Sequence, residues 1–127
     1  MQTKEFCCCG TALPYAHCCG RWHKGEHADT AETLMRSRYS AFVLADADYL
    51  LATWHPRTRP SRVTFDPKQR WLGLQIKSVL AGGSGDQTGE VEFLARFKID
   101  GKAHRLHERS AFEREAGRWF YTQGVHL

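Results

Sequence analysis

Every cysteine of this chain falls within its first nineteen residues, in a segment that reads CCCGTALPYAHCCG from Cys7 to Gly20. Structural cysteines scattered through a core do not cluster in this way, and such clustering points first to a metal. Zinc takes four soft ligands in a tetrahedron, with thiolates at about 2.3 Å. Cys7 and Cys9 form a C-x-C pair, and Cys18 and Cys19 form an adjacent pair. Gly10 and Gly20 follow the pairs, where a backbone without Cβ turns tightly. Pro14 and Tyr15 lie between them, with enough chain for one short turn. These pairs are tighter than the usual C-x2-4-C spacing. The alternatives are a redox-active thiol cluster and a pair of disulfides. The odd cysteine count and the lack of an apolar export segment after MQTKEF weaken the second. Cys8 is the surplus thiol, expected to be a bystander. A closed shell of four cysteines leaves no open coordination position, so the Zn2+ is expected to be structural rather than catalytic.

The segment resembles the SEC-C motif, a cysteine-rich zinc module found at the C-terminus of the SecA translocation ATPase. Cys7, Cys9, Gly10, Tyr15, Cys18, Cys19 and Gly20 carry the resemblance without gaps. The chain departs from the motif at Cys8, where proline is usual, and at Ala12, where glycine is common. Ala16 and His17 replace the basic residues usual before the second pair. That departure weakens any transfer of partner binding, though not of metal binding.

With 127 residues the chain can bury one core without disulfides. No apolar run approaches the roughly 20 residues of a membrane-spanning helix, so a soluble protein in the cytoplasm is expected and no membrane partner. The formal charge of +4 falls to +2 once four thiolates and a divalent zinc are counted, too weak a balance to argue for nucleic acid.

Beyond the cysteines the hydrophobic period changes once. Asp29 and Glu32 have the form of a helix cap with its reciprocal partner. Ala31, Leu34, Met35, Tyr39, Phe42 and Val43 then make one apolar helical face. Asp46 caps a second short helix carrying Ala47, Tyr49, Leu50, Leu51 and Trp54, which ends before Pro56. From Trp71 the period is two. Leu72, Leu74 and Ile76 are expected to alternate with Gly73, Gln75 and Lys77, and Gly82 to Gly85 reads as a flexible loop. Val91, Phe93, Ala95, Phe97 and Ile99 alternate most clearly, Asp100-Gly101 makes a two-residue turn, and Ala103 to Glu113 returns. Ala116-Gly117 turns again into Arg118 to Gln123. Helices followed by four antiparallel strands predict an α+β fold.

The stretches LMRSRYSAF, DADYL, TWHP, WLGL, ARF and ERS, with the closing RWFY, resemble the YchJ-like family of small uncharacterised bacterial proteins. The resemblance implies a zinc module over residues 1–24. It implies a cone-shaped nuclear transport factor 2-like (cystatin-like) domain over residues 25–127, with N-terminal helices packed on a curved sheet.

Two anomalies mark a candidate site within that cone. Arg38 lies about 40° from both Leu34 and Phe42, inside the apolar helix face. On the returning strand, Leu106 and Phe112 set the inward parity, which carries His104, Glu108 and Ser110 to the same side. A buried arginine needs a partner, and Glu108 is the expected one. In one reading Arg38–Glu108 is a structural ion pair closing the cone, packed by Tyr39 and Trp54. In the other, Arg38, Tyr39, Trp54, His55, Glu108 and Ser110 line a pocket for a small polar or anionic ligand. An arginine paired to Glu108 would make it a poor base, so no residue is assigned as catalytic and the chain is expected not to be an enzyme. A binding or adaptor role toward a small ligand or partner protein is expected. The alternatives are an enzyme using Glu108, His55 and Arg38, or an RNA- or ribosome-associated protein. The last would use Arg57, Arg59 and Arg62, joined in one basic stripe to Lys4, Arg21 and Lys24.

Overall fold

A computed structural model describes residues 6–127. After a single 3-10 turn (Tyr15–His17) come α1 (Cys19–His23), α2 (Ala31–Val43) and α3 (Ala47–Ala52). Four strands follow: β1 (Gln69–Ala81), β2 (Thr88–Ile99), β3 (Lys102–Glu115) and β4 (Arg118–His126). They form one antiparallel sheet in sequence order, against which α2 packs. This is the α+β arrangement the changing period predicts. Among the described residues no helix is long and apolar enough to cross a membrane.

Both expected tight hairpins form. Asp100 (φ 51°) with Gly101 (φ 79°), and Ala116 (φ 52°) with Gly117 (φ 79°), each place two residues at positive φ. That backbone matches the twist of the flanking strands.

Three local expectations need correction. Thr30, not Asp29, caps α2, its hydroxyl accepting from the Thr33 N–H at 3.1 Å. The Asp29 carbonyl instead accepts from Trp119 Nε1 at 3.2 Å, which holds the chain one residue short of the helix. Leu72 does not point inward but is 55% exposed. It is the extra residue of a bulge, since Trp71 pairs with Phe97 and Gly73 with Arg96. One inserted residue resets the alternation, so Trp71 turns inward and meets Tyr39 edge to face at 5.6 Å. A second bulge at Lys77 bends β1 further. Gly82, read as part of a flexible loop, is buried against the start of α2. Its carbonyl accepts from the Ala31 N–H at 2.9 Å, and a Cβ there would come within 2.7 Å of the Ala31 methyl group.

Helix α2 is covered on both sides, which a single apolar stripe does not foretell. Ser37 and Ser40 are as buried as Leu34 and Ala41. The cysteine segment lies over that side. Arg36 Nη1 donates to the Cys9 carbonyl at 2.6 Å. His23 Nε2 donates to the Ser37 carbonyl at 2.8 Å, leaving Nδ1 to accept from the Tyr15 hydroxyl at 2.6 Å. Cys7, Cys9, Cys18 and Cys19 belong to the same continuous core as Leu34, Tyr39, Val91 and Phe93.

Candidate metal centre and cone cavity

The sulfurs of Cys7, Cys9, Cys18 and Cys19 converge so that all lie within 4.8 Å of one another, and all four residues are buried. Cys9 and Cys18 stand 3.5 Å apart, and Cys18 and Cys19 4.0 Å. Four thiolates about 2.3 Å from one tetrahedral ion would stand about 3.8 Å apart, so the donor set fits a metal of that kind. The local backbone explains the convergence. The Cys7 N–H donates to the Leu13 carbonyl at 2.6 Å, folding the C-x-C segment back on Pro14, and the Tyr15–His17 turn delivers the second pair. All five cysteines are free thiols. Cys19 donates to Cys9, which holds the Cys9 thiol down to about 4 and pushes the Cys19 thiol up. A divalent cation bound there would take the four sulfurs as thiolates, releasing their protons. Two hydroxyls flank the cluster: Thr11 Oγ1 lies 3.0 Å from the Cys18 sulfur and Ser40 Oγ 3.4 Å from that of Cys7. Cys8 stands apart from the four, exposed, 3.3 Å from Ser40 Oγ.

On the opposite side of α2 a cavity of about 190 Å³ opens between the helix and the sheet. Arg38, Tyr39, Trp54, Glu108 and Ser110 all line it, as does Tyr121. His55 does not. After α3 the chain runs beside β4, with Tyr121 donating to the Thr53 carbonyl at 2.9 Å and His55 donating to the Tyr121 carbonyl at 2.8 Å. Adjacent residues of an extended segment face opposite ways. Trp54 therefore packs on Tyr121 at 5.0 Å, while His55 packs on Phe120 at 5.8 Å.

Nor do Arg38 and Glu108 form the expected ion pair; no guanidinium nitrogen of Arg38 lies within 4.0 Å of a Glu108 carboxylate oxygen. Arg38 is only 4% exposed, and its Nη1 donates to the Leu50 carbonyl at 2.8 Å and to Thr53 Oγ1 at 2.7 Å. The C-terminal end of α3 supplies the negative end of a dipole in place of a carboxylate. The guanidinium also lies 4.5 Å above the Tyr121 ring and 5.1 Å from that of Trp54. Burial pulls Arg38 down to about 10, which still leaves it charged at neutral pH. Glu108 accepts from Ser110 Oγ at 2.9 Å. Burial, and then the nearby Glu108 carboxylate, push the Tyr121 hydroxyl up; burial takes that of Tyr39 to about 12.

His55 belongs to a second donor cluster with Glu113 and Glu115. Its Nδ1 accepts from the Arg57 N–H at 3.0 Å, so Nε2 carries the proton that Glu115 accepts. Arg57 donates to Glu113 at 2.7 Å, and Arg59 donates to the Trp54 carbonyl at 3.1 Å. Two arginines of the loop thus hold the chain to itself. Arg21 pairs with Glu26 at 3.1 Å, and Lys4 lies outside the described residues.

Sequence reasoning missed Thr53, Tyr121 and Gly124. Tyr121 was legible through its parity with Trp119. Gly124, opposite Ser110 on β4, carries no sequence signal, yet a Cβ there would collide with the Glu108 carboxylate.

Comparison with known proteins places these features in a family. The family model described as "YchJ, middle NTF2-like domain" matches residues 30–124. A UPF0225 protein from Streptomyces coelicolor is 52% identical over 95% of this chain and 95% of its own. One from Chromobacterium violaceum is 49% identical over 98% of this chain and 95% of its own. The solution structure of a SEC-C motif containing protein from Rhodopseudomonas palustris superposes with a TM-score of 0.83 at 34% identity, covering 97% of this chain and 99% of that one. The crystal structure of a SEC-C motif containing protein from Psychrobacter arcticus gives a TM-score of 0.77 at 28% identity, covering 94% and 81%. The chain belongs to the YchJ-like family, a cysteine module of the SEC-C kind joined to an NTF2-like domain.

Proposed function

We propose that this protein is a zinc-stabilised binding module of the cytoplasm whose cone cavity receives a small ligand. Cys7, Cys9, Cys18 and Cys19 would hold one Zn2+ that does no chemistry beyond tying the N-terminal segment to α2. The observation that carries the binding reading is that Arg38 and Glu108 line one cavity without forming a direct ion pair. An ion pair closing the cone would have filled that space. Instead two opposite charges and an aromatic wall remain available to a third group, the usual composition of a small-molecule site.

Two experiments test the halves separately. Metal analysis with a thiol count on protein purified without added zinc should give one zinc per chain and one rapidly reactive thiol, Cys8. Absence of metal together with two disulfides would overturn the zinc assignment. A thermal-shift screen of small compounds of all charge types should yield hits that are lost when Ala95→Leu fills the cavity. Hits that persist in that variant would place the ligand elsewhere.

One observation favours a second reading. The Glu108 carboxylate lines the cavity, accepts from Ser110 and forms no ion pair among the described residues. If the cavity carries out proton transfer, Glu108→Gln would abolish turnover of a bound compound while keeping its binding.

A further inference from the structure

The polar groups of the cone cavity are unevenly satisfied, and the unevenness has a chemical direction. Arg38 uses only Nη1; among the described residues its Nε and Nη2 donate to no protein group. The Trp54 indole Nε1 is the single buried side-chain nitrogen or oxygen without a partner among those residues. Buried donors are almost always paired, and an orphan calls for a specific cause. The Trp54 ring packs against the same guanidinium, whose Cζ lies 5.1 Å from the ring centroid. Among the described residues no carboxylate pairs directly with Arg38; Glu108 acts on it only through space. A buried cation with unused N–H groups asks for an acceptor with negative charge, and the planar fork of arginine suits a carboxylate.

A second cluster on the same cavity has the opposite character. Glu108 and Ser110 sit side by side on β3, joined by a 2.9 Å hydrogen bond, with the carboxylate resting where Gly124 lacks a Cβ. A second anion there would be repelled, so whatever meets Glu108 must bring a donor. Between the clusters the lining is Phe93, Trp71, Leu106 and Tyr39, a wall suited to a flat apolar body. The cavity of about 190 Å³ has room for roughly six waters and falls below the roughly 300–1,000 Å³ of drug-sized sites. It fits a single ring with its substituents.

Building on the reading of the cone cavity as a ligand site, we infer that its ligand is a small planar carboxylate bearing a hydroxyl or amino donor away from the carboxylate. Arg38 takes the carboxylate through its unused N–H groups, Glu108 accepts from the donor, and the aromatic side chains, Trp54 among them, hold the body.

Calorimetric titration of the full zinc-loaded chain tests this with four probes of one shape: 4-hydroxybenzoate, unsubstituted benzoate, 4-hydroxybenzamide and 4-hydroxybenzamidine. The hydroxybenzoate should bind at least tenfold more tightly than the amide or the amidine, and more tightly than benzoate. Ala95→Leu, which fills the cavity, should abolish hydroxybenzoate binding. Glu108→Gln should shrink the preference for the hydroxyl over benzoate. Both variants spare Arg38, whose replacement endangers the fold. An amide or amidine that binds as well as the carboxylate would overturn the ligand class and leave the cavity as a binding site. If no probe of any charge binds, the cavity reading fails as well.

Discussion

The two sides of α2 hold their polar groups in opposite ways. On one side four buried sulfurs converge within 4.8 Å, with hydroxyls of Thr11 and Ser40 beside them. Like donors brought that close could all serve one cation and would leave nothing over. On the other side a cation and an anion line one cavity without forming an ion pair, and Trp54 Nε1 has no partner among the described residues. Both arrangements hold polar groups out of water, yet only the first closes on itself. A closed set stabilises a fold. An open set in a cavity is incomplete until something enters, and on the function proposed above that difference gives stability to the metal side and recognition to the cavity side.

Breaking the metal side should have the largest effect. Cys18→Ser should release the zinc and destabilise the protein by several kcal/mol, because metal binding and folding are coupled in such modules. The β1–β4 pairings involve none of the cysteines, so the far-ultraviolet dichroism of the sheet should survive at low temperature. Stoichiometric zinc retained in this variant would contradict the ligand set. Next in size is Arg38→Ala. Removing a buried cation leaves the Leu50 carbonyl and Thr53 hydroxyl short of a donor, and urea unfolding should show a loss of about 3 kcal/mol. A neutral result would place Arg38 in solvent.

Smaller changes sharpen the contrast. Ser40→Ala removes a hydroxyl beside the Cys7 sulfur, and chelator competition should show zinc held about tenfold less tightly, with probe binding unchanged. Altered probe binding would mean the two sides are not independent. The smallest effect lies outside both sites. The hydrogen bond from Arg57 holds the Glu113 carboxyl below its ordinary value. Folding therefore gains a little stability above the unfolded carboxyl range, lost as the pH falls through the lower folded value. Arg57→Ala should flatten that acid limb slightly, since a surface pair is largely screened by solvent.

The metal side was legible in the sequence because its ligands are neighbours along the chain. Cys7, Cys9, Cys18 and Cys19 need only one short turn to meet, so spacing carries the geometry. The cavity side was legible in part. Parity brings Glu108 and Ser110 inward, and helical spacing puts Arg38 on a buried face. What parity cannot convey is reach. Spacing alone sends Arg38 across to β3, but the end of α3 lies nearer and offers Leu50 and Thr53. Adjacency groups His55 with Trp54, whereas the strand-like run beside β4 sends adjacent residues to opposite sides. The bulge at Leu72 and the seat at Gly124 depend on the partner strand and leave no trace in their own segments.

The four tryptophans offer the most direct test of the contrast between the two sides. Trp22 lies in α1 beside the metal centre, Trp119 donates to the Asp29 carbonyl, and Trp54 and Trp71 line the cavity. An amide–indole NMR spectrum recorded while 4-hydroxybenzoate is added follows all four N–H groups at once. The Trp54 indole signal should move furthest, with that of Trp71 following and those of Trp22 and Trp119 still. Movement of Trp22 or Trp119 with Trp54 unmoved would contradict the assignment of recognition to the cavity side.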